Sequence, residues 1–184
     1  YETSEQMARL FDLEDSGYFY TRLQNPTNDH VAAKICALEG GTAAMLLSSG
    51  QAASFYSIFN IASCGDHVVS SSTIYGGTYN LLAHTFPEYG ITTTFVDPFN
   101  YDEVEQAIQE NTRAIHIETL GNPNSDVVDI EKLAETAHKH NLPLVMDNTV
   151  ATAYLVRPIE KGADIVVNST SKYINANSDA ISGV

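Results

Sequence analysis

A chain of 184 residues, 43% of them hydrophobic and 17% charged, is long enough to form one domain around a buried core. Its formal net charge of −14, with only nine Lys and Arg residues, argues against a nucleic-acid or anionic-membrane partner, because cations bind phosphate groups. No apolar run approaches the ~20 residues of a membrane-spanning helix, and no secretory signal is visible.

Two cysteines, Cys36 and Cys64, lie in apolar segments with helical patterns. We therefore expect no disulfide framework, as is usual in a reducing cytoplasm. No Cys/His spacing typical of a metal site occurs, and we interpret His138 and His140 as solvated side chains of a polar helix. Since the chain starts at Tyr1 and its end, "AISGV", is strand-like, we expect a piece of a longer protein.

Helix and strand patterns alternate after an irregular, aromatic segment over residues 1–27. The predicted helices cover residues 28–41, 50–65, 75–86, 101–110 and 129–141. The predicted strands cover residues 67–72, 91–97, 113–119, 143–149 and 163–169, and residues 43–49 form a further short apolar run. This alternation predicts an α/β domain over residues 28–184, with a mostly parallel sheet covered by helices on both faces.

We expect a binding site at the carboxyl ends of the predicted strands, because open parallel sheets bind ligands there. The segments at these ends are "SSGQ" (48–51), "SSSTIYGG" (70–77), "ETLGNPN" (118–124), "MDNT" (146–149) and "NSTSK" (168–172). Each is rich in glycine, hydroxyl groups and short polar side chains, which ordinary turns also contain. Their convergence on one edge of the sheet predicts a binding site there.

An anion site is one interpretation of the segments around Gly50 and Ser169. Gly50 lets the backbone approach an anion at the start of a helix, where the helix dipole favours negative charge. The hydroxyl groups of Ser169 and Ser171 would add donors. The alternatives are a helix N-cap at Ser49 and ordinary turn capping by the two later serines.

Asp147 and Lys172 suggest what else such a site would hold. Asp147 leaves a buried strand, so it either caps the amides of Thr149 or Val150 or faces a cationic ring nitrogen. A phosphate site, a carboxylate for a ring nitrogen and a lysine are the parts needed to hold pyridoxal 5'-phosphate (PLP). Lys172 would form the Schiff base, and the ring would act as an electron sink. Tyr75 offers an aromatic face for a flat ring.

The stretch "STSK" (169–172) also matches the Ser-x-x-Lys signature of serine β-lactamases and penicillin-binding proteins. That signature needs a helical turn between its serine and its lysine, whereas the β-branched run before Ser169 predicts the end of a strand. No KTG follows, and this interpretation leaves Asp147 and Gly50 without a role.

Several blocks, in this order, resemble the Cys/Met-metabolism PLP-dependent enzymes of fold type I, among them cystathionine γ-synthase, methionine γ-lyase and O-acetylhomoserine sulfhydrylase. The blocks are "YFYTRLQNPT", "ALEGGTAAML", "SSGQAA", "YGGTYNL", "ETLGNPN", "MDNTVATAYLVRPIEKGADIVVNSTSKYI" and the closing "SGV". The resemblance covers roughly the first half of a family chain and implies that the C-terminal domain is absent here.

The resemblance implies a role for each candidate site residue. Lys172 matches the Schiff-base lysine, Asp147 the partner of the pyridine nitrogen, and Tyr75 the stacking tyrosine that also relays protons. The other implied cofactor contacts are Gly50 and Gln51 at the phosphate, the hydroxyl groups of Ser169 and Ser171, Asn122 at the phenolic oxygen, and Thr149 beside the carboxylate. No metal site is implied.

Tyr20 and Arg22 match a pair that grips the phosphate in the neighbouring subunit. The resemblance therefore implies that residues 1–27 form an N-terminal arm that contacts another subunit. It also implies an active unit that is a homodimer, a homotetramer as the whole assembly, a small amino-acid substrate, and a cytoplasmic location.

Two departures bear on the reaction. Methionine γ-lyases carry a cysteine two residues after the stacking tyrosine, where this chain has Gly77, and "YGGTYNL" is closer to O-acetylhomoserine sulfhydrylase. In contrast, "DNTVATAYL" is closer to the lyases and synthases. No arginine of the chain matches the residue that grips the substrate carboxylate.

The resemblance thus implies PLP-dependent γ-replacement on an O-acylhomoserine with sulfide or a thiol. The alternatives within the family are elimination or replacement of the methionine γ-lyase or cystathionine γ-synthase/lyase type. An alternative of another class is a non-catalytic fragment of the cofactor domain.

Overall fold

A computed structural model describes residues 1–184 and contains one five-stranded sheet with the order β2-β1-β3-β4-β5, in which every neighbouring pair is parallel. The strands are β1 (His67–Ser71), β2 (Thr92–Val96), β3 (Thr112–Glu118), β4 (Leu144–Asp147) and β5 (Ile165–Val167). The five predicted strands and the parallel α/β architecture are therefore confirmed.

The helices are α1 (Ser4–Phe11), α2 (Pro26–Glu39), α3 (Gly50–Phe59), α4 (Gly76–Asn80), α5 (Phe86–Glu88), α6 (Tyr101–Gln106), α7 (Ile130–Lys139) and α8 (Thr152–Leu155). A π-helical turn, Leu81–Thr85, joins α4 to α5, and a 3-10 turn covers Ile159–Lys161. Every predicted helix is present, although α3 and α6 end several residues earlier than their patterns suggest. None of these helices is both long enough and apolar enough to cross a membrane.

The N-terminal segment is less irregular than expected, because it contains α1. The Thr3 side chain accepts a hydrogen bond from the Gln6 N–H and caps the first turn. Of the residues in α1 only Leu10 is buried, although Met7, Leu10 and Phe11 have the i, i+3, i+4 spacing of an apolar helix face. The prediction of an irregular segment was wrong over residues 4–11.

The sheet separates two apolar clusters, which explains why its central strands are hydrophobic on both faces. One cluster packs β3 and β4 residues such as Ile115 and Met146 against Leu133 of α7. The other packs Val68 of β1 with Ile58 and residues of the α4–α5 region, including Phe86. These two clusters fix the positions of the strand ends, on which the candidate site depends.

The strand register brings the candidate segments to one edge. Glu118, the last residue of β3, pairs with Asp147 of β4, and Asp147 in turn pairs with Val167 of β5. Three strands therefore end at the same level, and the polar segments that follow them leave the sheet side by side. This juxtaposition is the one predicted from the parallel pattern.

The run over residues 43–49 and the strand-like C-terminal segment form no strands of the named sheet. They meet in a single antiparallel bridge between Leu47 and Gly183. The contact is tight, because a Cβ atom on Gly183 would lie 2.2 Å from the carbonyl oxygen of Ser49. Val184 also bonds to the backbone of Asn168, which follows β5. The C-terminal residues thus lie between the start of α3 and the end of β5.

Candidate active site

The start of α3 carries free backbone donors. The Ser49 side chain accepts a hydrogen bond from the Ala52 N–H at 3.0 Å, so the N-cap interpretation is confirmed. The N–H groups of Gly50 and Gln51, however, have no acceptor within the protein. A helix start with two free N–H groups suits an anion, so capping and anion binding are compatible here.

Gly50 and Ser169 lie in direct contact, as the shared anion site requires. A Cβ atom on Gly50 would lie 2.4 Å from the Ser169 Cβ and 2.7 Å from its Cα. The Ser169 hydroxyl makes no hydrogen bond within the protein, and its oxygen would lie 2.8 Å from that Cβ. Only glycine permits this approach, which places a free hydroxyl beside two free N–H groups.

Substituting Gly50 by alanine is therefore expected to destabilise the protein by about 1–3 kcal/mol, since the Ser169 backbone must shift. The matched control is Gly76→Ala, because a Cβ at Gly76 meets no atom within 4 Å. Denaturant unfolding of the full-length protein would measure both variants. Equal stability of the two variants would contradict the tight contact.

Asp147 occupies the centre of the edge and has no cationic partner. Its Oδ1 accepts the Thr149 N–H at 2.9 Å, and the Thr149 hydroxyl accepts the Ser169 N–H at 2.7 Å. The capping interpretation of Asp147 is therefore confirmed, but the carboxylate forms no ion pair. Burial raises its pKa, and the hydrogen bonds from Thr149 oppose that rise. A protonated ring nitrogen would supply the missing positive charge.

Tyr75, Gln51 and Gly77 form one side of the site. The Gln51 Nε2 donates to the Gly77 carbonyl at 3.2 Å. A Cβ atom on Gly77 would lie 2.5 Å from Cε1 of the Tyr75 ring, so the ring lies directly over this glycine. The ring remains 51% exposed, which leaves an aromatic face available to a ligand.

Lys172 lies in a turn over residues 170–175 just beyond β5, with an exposed side chain that forms no ion pair. Its backbone N–H donates to the Ser169 carbonyl at 3.1 Å. Residues 170–175 form turns and belong to no helix, whereas the β-lactamase interpretation needs a helix here. The Ser171 hydroxyl accepts the Ser182 N–H and donates to the Ser182 carbonyl, so it holds the turn together.

Glu118 is a buried carboxylate of the edge that the sequence analysis did not single out. It is 5% exposed, and its two oxygens accept the N–H groups of Tyr75 at 2.8 Å and Asn122 at 3.1 Å. Burial raises the pKa of Glu118 to about 7, and the charge of Asp147 adds to the rise. Its position at the end of a buried strand is the signal that already marked Asp147.

The raised pKa of Glu118 predicts a pH-dependent stability. The folded state binds this proton more tightly than the unfolded chain, whose glutamate pKa is 4.5. The stabilisation that comes from protonation of Glu118 is thus complete below pH 4.5, and it is lost as the pH rises through about 7. The free energy of unfolding, relative to that of Glu118→Gln, should fall by about 3 kcal/mol across this window.

Denaturant unfolding of wild type and Glu118→Gln at several pH values checks this expectation. Burial also raises the pKa of Asp147, and because its charge acts on Glu118, the difference measures Glu118 together with its coupling to Asp147. A difference in stability that does not change with pH would contradict the raised pKa.

A second buried carboxylate, Glu39, was also not singled out. It accepts hydrogen bonds from the side-chain amides of Asn148 at 3.2 Å and Asn168 at 3.0 Å. These asparagines follow β4 and β5, so Glu39 ties α2 to the segments that carry Asp147 and Ser169. In the sequence, Glu39 stands before two glycines at the end of a predicted helix, and this position did not indicate that its side chain is buried or bonded to these asparagines.

Tyr20 and Arg22 are not brought to the edge. The Arg22 guanidinium lies 5.0 Å from the centre of the Tyr20 ring, and both side chains are exposed. Neither makes a hydrogen bond or ion pair with the site residues, and Arg22 pairs with neither Glu14 nor Asp15, since Asp15 pairs with Arg9 at 2.8 Å. The pair is therefore preassembled on the surface.

Comparison with known proteins identifies the class of site. All of residues 1–184 match the family described as Cys/Met metabolism PLP-dependent enzyme. An L-methionine gamma-lyase of Fusobacterium nucleatum is 46% identical, with 100% of this chain matching 47% of that protein. An O-acetyl-L-homoserine sulfhydrylase of Leptospira meyeri is 44% identical, with 100% of this chain matching 42% of that protein. The chain thus spans less than half the length of these relatives.

Solved structures of similar proteins have the same fold as this chain. A putative O-acetylhomoserine (thiol)-lyase of Campylobacter jejuni, which contains N'-pyridoxyl-lysine-5'-monophosphate, matches with a TM-score of 0.94 and 41% identity over 100% of this chain and 45% of that one. A cystathionine gamma-lyase of Lactobacillus plantarum, complexed with L-serine, matches with a TM-score of 0.88 and 38% identity over 92% of this chain and 44% of that one.

The residues at the edge fit PLP on their own evidence. The free N–H groups of Gly50 and Gln51 with the free Ser169 hydroxyl suit a phosphate group, and the unpaired Asp147 carboxylate suits a cationic ring nitrogen. The chain belongs to the Cys/Met-metabolism PLP-dependent enzymes, a fold type I family of lyases and transferases that act in sulfur amino-acid metabolism.

Proposed function

We propose that the full-length protein catalyses γ-replacement on an O-acylhomoserine: sulfide or a thiol forms a C–S bond at Cγ, and the carboxylate of the acyl group leaves. PLP, when bound, supplies an electron sink that stabilises negative charge next to the amino group of the substrate. The task of this chain is to hold that cofactor, keep its ring protonated and move protons at the substrate carbons.

We infer that Asp147 keeps a proton on the ring nitrogen, because a full negative charge beside it favours the protonated form. The Lys172 amine would hold the cofactor covalently, and in its free form it would take and return the protons at Cα and Cβ of the substrate. Tyr75 stacks on the ring, and its hydroxyl relays protons.

The remaining residues bind the cofactor in this proposal. Gly50 and Gln51 donate their N–H groups to the phosphate, and Ser169 donates its hydroxyl, which is free. Ser171 would have to exchange its present bonds with Ser182 to reach the phosphate. Asn122 faces the phenolic oxygen, and Thr149 steadies the Asp147 carboxylate at 2.9 Å.

The observation that favours replacement over methionine elimination is Gly77 itself, which stands where the resemblance implies a cysteine in methionine γ-lyases. A Cβ there would lie 2.5 Å from the Tyr75 ring and 3.1 Å from the Gln51 Oε1. Both atoms belong to side chains that can rotate, so the choice rests on the type of residue at this position rather than on the space around it. The identity to an O-acetyl-L-homoserine sulfhydrylase, 44%, lies close to the 46% to a methionine gamma-lyase, so identity does not choose between them.

The test is an assay of the full-length protein with O-acetylhomoserine plus sulfide, in parallel with methionine alone. We expect release of acetate and formation of a thiol-containing amino acid in the first reaction. Faster release of a 2-oxo acid and ammonia from methionine would favour the γ-lyase alternative. A cystathionine-forming or cystathionine-cleaving enzyme would instead require cysteine or cystathionine for turnover.

We further propose that the active unit is a homodimer within a homotetramer, located in the cytoplasm. The support is the exposed, preassembled Tyr20 and Arg22 pair, which makes no bond to its own site. A guanidinium can bond two phosphate oxygens at once, so Arg22 suits the phosphate of a neighbouring subunit. Both cysteines, Cys36 and Cys64, are free, which agrees with a reducing compartment.

Mixing two inactive full-length variants tests this arrangement. Arg22→Ala and Lys172→Ala should each lose most activity, whereas reassembled mixtures should recover part of it. The recovery is expected because some hybrid sites combine an intact Lys172 with the Arg22 of the other subunit. Hybrids that form without any recovered activity would place Arg22 outside the neighbouring site. Arg9→Ala is the control, since Arg9 pairs with Asp15 in the same arm.

A further inference from the structure

We propose that Glu118 is a positioning residue of the active site, an assignment that rests on the proposed function. Its carboxylate joins two loops that arrive from different strands. One oxygen accepts the Tyr75 N–H at 2.8 Å and the other accepts the Asn122 N–H at 3.1 Å. Both residues are proposed cofactor contacts. One buried side chain therefore holds the backbone at two positions that contact the cofactor.

Each loop is also held by its own backbone bonds, from the Tyr79 N–H to the Tyr75 carbonyl at 2.9 Å and from the Gly121 N–H to the Asp126 carbonyl at 2.8 Å, but the N–H groups of Tyr75 and Asn122 both bond to Glu118. Tyr75 is the N-cap residue of α4, but its side chain makes no capping bond, and α4 is only five residues long. The Tyr75 ring is 51% exposed, and the Asn122 side chain is exposed as well. Because neither side chain is held by the core, their directions depend on the backbone bonds to Glu118.

The placement of Glu118 is also unfavourable for stability, which points to a functional role. The side chain is 5% exposed, and Glu118 pairs in register with Asp147 on β4, so two carboxylates share one end of the sheet. Neither has a cationic partner within the protein. A local conflict of this kind is common where a site needs a specific geometry.

The experiment compares Glu118→Ala, which removes both acceptors, with Glu118→Gln, which keeps one acceptor oxygen. The matched control is Asp164→Asn, since Asp164 also accepts a backbone N–H, that of Leu144 at 2.9 Å, but at the opposite end of β4. The full-length holoenzyme is measured by visible circular dichroism of the bound cofactor, by kcat and KM, and by thermal unfolding.

We expect Glu118→Ala to change the visible dichroism and to lower kcat by roughly 10²-fold with a smaller change in KM, because the ring and its contacts are displaced. Glu118→Gln should lie between this variant and wild type. Asp164→Asn should alter the melting temperature alone. If Glu118→Ala does not fold, the dichroism and kcat of Glu118→Gln decide the question.

Failure of this inference is distinguishable from failure of the proposed function. Wild-type dichroism and kcat in the Glu118 variants, with only a changed melting temperature, would overturn the positioning role and leave the proposed function intact. A wild-type protein that borohydride fails to link to PLP at Lys172 would overturn the proposed function and, with it, the role of Glu118.

Discussion

Lys172→Ala is expected to abolish the covalent retention of PLP and to lower kcat by roughly 10²–10⁴-fold, the usual contribution of a positioned acid–base group. The physical reason is that an alanine supplies neither the amine that links to the cofactor nor the base that moves protons at the substrate. The exposed amine in the turn beyond β5 forms no ion pair, so its removal should change the free energy of unfolding little.

Borohydride reduction followed by peptide mass analysis measures the link directly, in full-length protein saturated with PLP. Lys161→Ala is the control, because Lys161 is also exposed but pairs with Glu131 at 2.8 Å on the surface. That variant should keep both the link and the activity. An unmodified Lys172 in reduced wild-type protein, or a cofactor attached elsewhere, would contradict the central assignment.

Asp147→Asn is expected to lower kcat by roughly 10²–10³-fold while changing the affinity for PLP much less. The amide can still accept the Thr149 N–H, so the local backbone should stay in place. It carries no negative charge, however, and therefore no longer keeps the ring nitrogen protonated. The loss should appear in the chemical step because a neutral ring is a weaker electron sink.

Asp129→Asn is the matched control for this substitution. Asp129 caps α7 by accepting the Lys132 N–H at 3.3 Å, and asparagine is an equally good N-cap. Steady-state kinetics and PLP titration of both variants separate chemistry from binding. Near-normal turnover of Asp147→Asn would mean that the only role of this carboxylate is to accept the Thr149 N–H, at 2.9 Å.

Parts of the candidate site were predictable because the chemistry lies within short segments. Asp147 directly follows an apolar run, and Lys172 follows one after a short polar stretch, so the sequence places both near strand ends without any tertiary information. The contact between Gly50 and Ser169 joins residues far apart in the chain, and only the packing of α3 against the end of β5 reveals how close it is. The bonds of Ser171 to Ser182 likewise depend on where the C-terminal segment returns.

Other parts were not predicted from the sequence. Helix α1 has apolar residues at helical spacing, Met7, Leu10 and Phe11, but it is only eight residues long and buries only Leu10, and its N-cap contact at Thr3 became evident only in the fold. Glu118 stood in a segment recognised as a strand end, yet a glutamate there could equally have pointed to solvent. Its role follows from two backbone N–H groups that belong to residues 43 positions before it and four after it.

The sequence by itself determined the fold class, the convergence of polar segments on one edge of the sheet and the family, because hydrophobic periodicity and local motifs are properties of neighbouring residues. The tertiary structure alone decided which donors at that edge stay free, which carboxylates are buried without a cation, and how little room remains at Gly77. Those properties arise from contacts between distant segments, whose distances are set by the register of β3, β4 and β5 and by the packing of α3, rather than by any stretch of sequence.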